Sequence, residues 1–157
     1  MEELAFGMAL ACFAAVCVAI APERPAPVAT TAEFYRAVNR VCVQAGKDSG
    51  VRRELYWPDP RGDVAVERRK WEHYVAMKVD GAREVFKGAT GVRTSRGDAV
   101  SAREDFLAAV RHYLEAGERF QGNGARSPAL MDASDSARDV VRDLAQRHEA
   151  YACVILT

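Results

Sequence analysis

From Leu4 to Ala21 the chain runs LAFGMALACFAAVCVAIA, eighteen residues without a charge, and Pro22 stops it. As a helix such a run spans about 27 Å, close to the roughly 30 Å hydrocarbon core of a bilayer. The pattern predicts a single transmembrane helix within residues 1–22. Beyond Pro25 it changes to charged segments whose apolar residues recur three and four apart, as in amphipathic helices. A buried core helix is the rival reading of the run, since seven of its eighteen residues are alanine. A cleaved signal peptide fits less well: Glu2 and Glu3 stand where basic residues belong, and Pro22 follows the small-residue site Ala19-Ile20-Ala21.

Within the run Gly7, Ala11, Ala15 and Ala19 recur every four residues and form one stripe of small side chains. In lipid such stripes let two helix backbones approach closely, so the stripe is the candidate packing face toward another transmembrane helix. An alanine-rich segment also produces this spacing by chance.

Residues 23–30 form a Pro-rich linker, and 31–157 the bundle domain. Thr31 is the expected N-cap of a first helix with Phe34, Val38, Val41, Cys42 and Ala45 inward, fading near Gly46 to Gly50. The aromatic loop at Tyr56, Trp57 and Pro58 follows; Tyr56 and Trp57 are candidate contact residues, or else close one end of the bundle. Asp63 caps a second helix lined by Trp71, Val75, Val79, Ala82 and Phe86 and ended by Gly88 and Gly91. A third starts at Asp98, with Phe106, Val110, Tyr113, Leu114 and Gly117 inward. A fourth, capped by Ser134 or Asp135, carries Val140, Val141, Leu144, His148, Ala152 and Ile155. Four such segments with short connections predict an all-α fold: one transmembrane helix followed by an up-down four-helix bundle.

Charge adds little to this picture. After Glu2 and Glu3 the chain holds 22 basic and 20 acidic residues, evenly mixed, which excludes an electrostatic nucleic-acid binder. Cysteine adds more. Cys12 and Cys17 lie in the apolar run, Cys42 in the first bundle helix and Cys153 near the end of the last. Antiparallel neighbours would let Cys42 and Cys153 meet and close a loop of about 110 residues, worth about 4 kcal/mol by chain entropy. Two independent buried thiols remain the alternative, because helix register is not legible in sequence.

The order of apolar helix, Pro-Ala spacer, FYRAVNRVC at 34–42, charged helices and RHEAYAC at 147–153 resembles a group of actinobacterial exported or membrane-anchored helical-bundle proteins. The resemblance covers the organisation of the whole chain but few identities. It implies an extracytoplasmic bundle and brings no catalytic residues to carry over. Arg24, Arg36 and Arg40 follow the apolar run with no basic residue before it, which by the positive-inside rule favours the cytoplasm. A bridged cysteine pair favours an oxidising compartment, and the expectation follows the cysteines.

Chemistry-bearing patterns reduce to structural ones. The two Arg-Gly-Asp tripeptides, Arg61–Asp63 and Arg96–Asp98, put glycine in a turn and aspartate at a helix start. His73, His112 and His148 lie on three helices without ligand spacing; His73 is expected to face solvent and His148 to sit in the core. Asp132, Asp135, Asp139 and Asp143, interleaved with Arg138 and Arg142, suit a solvated face with local ion pairs better than a Ca²⁺ loop. No enzyme, metal or cofactor is therefore expected. The reading is a non-catalytic accessory subunit of a bacterial membrane complex of energy-converting or transport type, with integral membrane subunits and the lipid bilayer as partners. The alternative is a free-standing, membrane-anchored ligand-binding or sensor bundle with a pocket lined by Trp71, Tyr74, Phe106 and Tyr113.

Overall fold

The structure, a computed structural model, describes residues 26–48, 59, 61–123 and 126–156. The apolar run with Gly7, Ala11, Ala15 and Ala19, and the loop residues Tyr56 and Trp57, lie outside the described residues. Among those described, no helix is long and apolar enough to cross a membrane.

The described regular structure is all helical: α1 (Thr31–Asp48), α2 (Val64–Thr90), α3 (Gly97–Gly122), α4 (Pro128–Arg147) and α5 (Tyr151–Leu156). Thr30, one residue before the expected cap, starts α1. Its hydroxyl accepts from the Glu33 N–H at 3.2 Å, while the Glu33 carboxylate accepts from the backbone of Ala29 and Thr30. This reciprocal Thr-x-x-Glu arrangement satisfies donors that the first turn would otherwise leave open. The Ala29 bond is the chief reason the Glu33 carboxyl is held below its usual range. Ahead of it, Val28 pairs with the α2–α3 connection, donating to Arg93 at 2.8 Å and accepting from Ser95 at 2.9 Å.

Asp63 caps α2 as expected, accepting from Ala65 and Val66. Gly88 does not end α2; it lies inside the helix, where a side chain would overlap Val41 of α1. Asp98 does not cap α3. The helix begins one residue earlier, with Arg96 at the cap position and no side-chain bond there, and Asp98 sits in the first turn. Neither Ser134 nor Asp135 caps α4. Ser127 does, accepting from Leu130, and Pro128 follows with its fixed φ at the first helical position. The early turns of α4 are mostly exposed, so they carry little apolar periodicity to mark the start.

The last helix is two helices. α4 ends at Arg147, Glu149 takes φ 59°, and α5 packs against both α1 and α4. The Ala150 N–H bonds to the Ala145 carbonyl at 2.8 Å and the Glu149 N–H to Gln146 at 3.2 Å. This is the Schellman pattern, with glutamate where glycine is usual. Asn39 of α1 accepts from the Ala152 N–H at 2.9 Å and pins the start of α5. The bundle thus has five helices among the described residues where four were expected.

Two apolar clusters hold it together. The larger centres on Phe34, Tyr35 and Phe106, whose rings meet edge to face with centroids 5.2–6.2 Å apart. Around them the core is rich in alanine, including Ala82, Ala89, Ala99, Ala145 and Ala150, so helices approach closely. Val140, expected inward, is 51 % exposed, and its neighbour Val141 takes the core position. The smaller cluster is Val75, Val79 and Phe120, with Trp71, Tyr74, Leu114 and Leu130 half-buried against it.

Candidate functional site

Cys42 and Cys153 form a disulfide across 111 residues of sequence, with Cα atoms 5.1 Å apart and both side chains buried. The break at Glu149 makes this contact: α5 runs beside α1 from Asn39 onward, which brings Cys153 to Cys42. His148, expected in the core, is exposed at the end of α4. Its ring stacks on Tyr35 at 4.1 Å and 15°, covering the edge of the aromatic cluster. His73 and His112 are exposed on α2 and α3. Among the described residues no three His, Cys, Asp or Glu side chains converge as metal ligands would.

The acidic line of α4 is a solvated face. Arg138 pairs with Asp135 at 2.9 Å and Asp139 at 3.7 Å, Arg142 with Asp139 at 3.6 Å, and Arg147 with Asp143 at 2.6 Å. Exposed pairs of this kind contribute only about 0.2–1 kcal/mol each. Arg138 differs from the others: its Nε–H is buried and has no acceptor among the described residues. An unsatisfied buried donor costs about 1–3 kcal/mol, more than one such ion pair returns.

Arg138 lines a cleft beside the smaller apolar cluster, where α2, α3 and α4 meet. Trp71, Tyr74 and Lys78 come from α2, Tyr113 and Phe120 from α3, and Met131, Ser134, Asp135 and Arg138 from α4. Trp71 and Tyr74 stack at 5.7 Å, Phe120 meets Trp71 edge-on at 6.4 Å, and the Lys78 ammonium lies 5.7 Å from the Tyr74 ring centre. Gly117 lets α2 and α3 close on one another here, since a Cβ there would sit 2.7 Å from Val79 Cγ2. The cleft volume is about 40 Å³. One enclosed water needs roughly 10–15 Å³ by that measure, so the space holds about three waters or one small functional group.

Its charged lining residues, among those described, are Lys78, Asp135 and Arg138. Burial lowers the Lys78 pKa, and the neighbouring Arg138 and Arg142 lower it further. Burial pushes the Tyr113 phenol up to about 12, against a smaller opposing effect of Arg138. At neutral pH Tyr113 therefore keeps its phenol O–H, and among the described lining residues Asp135 is the one acid beside Lys78 and Arg138. Of the four pocket residues expected from sequence, Trp71, Tyr74 and Tyr113 meet here, whereas Phe106 belongs to the other cluster. Lys78, Ser134 and Arg138 were missed. The i,i+4 spacings Tyr74–Lys78 and Ser134–Arg138 were their only signal, because each sits at the polar edge of an amphipathic stripe.

Compared with known families, curated proteins and solved structures, the chain matches no family model, no curated protein and no solved structure.

Proposed function

We propose that the chain is a membrane-tethered, extracytoplasmic helical bundle that serves as a non-catalytic accessory subunit of a bacterial membrane complex. The observation that carries this reading is the Cys42–Cys153 bond, which closes the bundle behind an eighteen-residue apolar run. Structural disulfides persist in oxidising compartments, and a run of that length suits a bilayer. The bundle's surface, with both signs of charge interspersed and apolar side chains exposed singly, suits an extramembrane module. Docking would use the Gly7, Ala11, Ala15 and Ala19 stripe, with Tyr56 and Trp57 as a second contact.

The test is mild-detergent extraction of the tagged full chain followed by mass spectrometry of what co-purifies. A stoichiometric set of integral membrane subunits, lost when residues 4–21 are replaced by an unrelated poly-Leu span, is the expected result. Recovery as a lone species, or partners retained after the replacement, overturns the docking role.

A second reading is favoured by the cleft of α2, α3 and α4: a ligand-binding or sensor bundle. Small-molecule sites are concave and mostly apolar with a few placed polar groups, and this cleft has that composition. Thermal stabilisation by a ligand supports this reading, since a molecule binding only the folded state raises its stability.

A further inference from the structure

We infer that the outer face of α1, carrying Arg36, Arg40 and Lys47, lies along an anionic lipid surface and orients the bundle on the membrane. The inference rests on the membrane-tether reading above and names the surface that the tethered bundle meets.

Spacing supplies the first argument. At about 100° per residue, Arg36, Arg40, Val43 and Lys47 fall within about 60° of one another around α1. All four are exposed. The inward side of the same helix is taken up by Phe34, Val38, Cys42 and Ala45, so the basic stripe is the face that the fold leaves uncovered.

Charge supplies the second. Arg68 pairs with Glu72, Arg83 with Glu118 and Arg147 with Asp143, whereas among the described residues Arg40 and Lys47 have no ion-pair partner. Arg36 donates its Nε–H to the Ala32 carbonyl at 3.4 Å. Neither acid of α1 lies between Arg36 and Lys47. Glu33, near enough to Arg36 to feel its charge, accepts from Ala29 and Thr30, and Asp48 accepts from Gln44 at 2.7 Å. On α4 the arginines alternate with the aspartates that pair with them, so that helix offers an anionic surface no excess of cations. Basic segments beside a membrane anchor are drawn to anionic headgroups.

Reach supplies the third. Val28 is tied to Arg93 and Ser95, which fixes the foot of α1. From Ala21, the last residue of the apolar run, to Val28 the chain spans at most about 25 Å. The stripe thus begins close to the bilayer, and the tether makes a weak contact intramolecular. An acidic protein fits the stripe less well, because single charges around one valine supply no aromatic anchor of the kind that dominates protein interfaces.

The experiment uses the full chain with Cys12→Ala and Cys17→Ala, which leaves the bridged Cys42–Cys153 pair and one added cysteine for a fluorophore. The label is placed by Gln44→Cys on α1 or by Val140→Cys on α4, both exposed positions. The protein is inserted in phosphatidylcholine vesicles with about one quarter phosphatidylglycerol, and quenching by nitroxides on the lipid headgroups is read. The α1 label is expected to be quenched and the α4 label not. Raising salt from about 0.1 M to about 1 M shrinks the screening length from about 10 Å to about 3 Å and is expected to cut the quenching at least about twofold. Omitting phosphatidylglycerol, or combining Arg40→Gln with Lys47→Gln, is expected to do the same. Both of those side chains are exposed, so the double variant folds.

Equal quenching of the two labels, or quenching indifferent to phosphatidylglycerol or to the double variant, overturns the inference. A chain that then still resists alkaline carbonate extraction leaves the membrane tether standing. Release of the chain by carbonate overturns the tether and the inference together. An acidic protein that co-purifies and is lost in the double variant, with the α1 label unquenched, overturns the lipid assignment in favour of a protein partner.

Discussion

Val41 of α1 fills the space beside Gly88 of α2, so that a β-carbon at Gly88 would overlap Val41 Cγ1. Alanine gains about 1 kcal/mol over glycine in a helix interior, but overpacking a close contact costs about 1–3 kcal/mol. Valine is stiff at χ1 and cannot swing away cheaply. Gly88→Ala is therefore expected to destabilise the bundle, and Val41→Ala in the same chain to restore most of the loss. Denaturant midpoints for the two single variants and the double variant measure that coupling. Gly97, with nothing within 4 Å, is the control: Gly97→Ala is expected to be neutral or stabilising by up to about 1 kcal/mol.

Glu149 reverses the chain at φ 59°, in the left-handed region that glycine occupies at little cost. A non-glycine residue there costs roughly 1–2 kcal/mol. Glu149→Gly is expected to recover about 1 kcal/mol while keeping both capping bonds. A rise in the thermal midpoint checks this; a fall would show that the glutamate side chain contributes more than its backbone strain costs.

Reduction should weaken the protein strongly. Opening the 111-residue loop closed by Cys42 and Cys153 removes about 4 kcal/mol by the chain-entropy estimate. Peptide mapping without reductant is expected to recover one cross-linked pair carrying these two residues. The thermal midpoint should drop in reductant, and by a similar amount in Cys42→Ser/Cys153→Ser. An unreduced map with both peptides free would sink the assignment.

Alkali should unfold the bundle through two tyrosines. Burial raises the Tyr35 and Tyr113 phenols to about 12, against about 10 in an unfolded chain. A raised folded pKa means that the native state holds its proton longer. The stability these groups contribute is thus complete below pH about 10 and is lost as pH rises from about 10 to about 12. Phenolate absorbance should show Tyr35 and Tyr113 titrating late, together with unfolding. Tyr113→Phe should flatten the alkaline loss, and a profile identical to wild type would count against burial as the cause.

At the start of α1, Thr30→Ala is expected to cost about 1 kcal/mol, the usual loss for an N-cap hydroxyl. Glu33 adds a pH signature of opposite sign. Its folded pKa is depressed, so its contribution is present above the unfolded carboxyl value and lost as pH falls through the folded one. Acid titration of Glu33→Gln beside the parent should show a smaller acid loss in the variant.

Local patterns were legible without the fold. The helical class, the inward positions Phe34, Val38, Cys42, Val75, Val79, Phe106, Val110 and Val141, and the Asp63 cap all follow from spacing and cap chemistry, which act within one or two turns. The outward His73 and the ion-paired face of α4 follow in the same way. Three features depended on contacts between segments distant in sequence. The reversal at Glu149 carries no glycine or proline; tertiary packing of α5 into the groove beside α1 overrides the local preference. The Cys42–Cys153 pairing needs a register that only that packing sets. The cleft brings Lys78 and Arg138 beside Tyr113 from three helices, and both of these cations sit on the polar edge of their own stripe, where periodicity cannot separate a lining residue from a solvated one. What the chain alone determined was which face of each helix is apolar; which faces meet was decided by close packing among alanines and glycines, because side-chain volume, unlike polarity, acts only when two helices are already in contact.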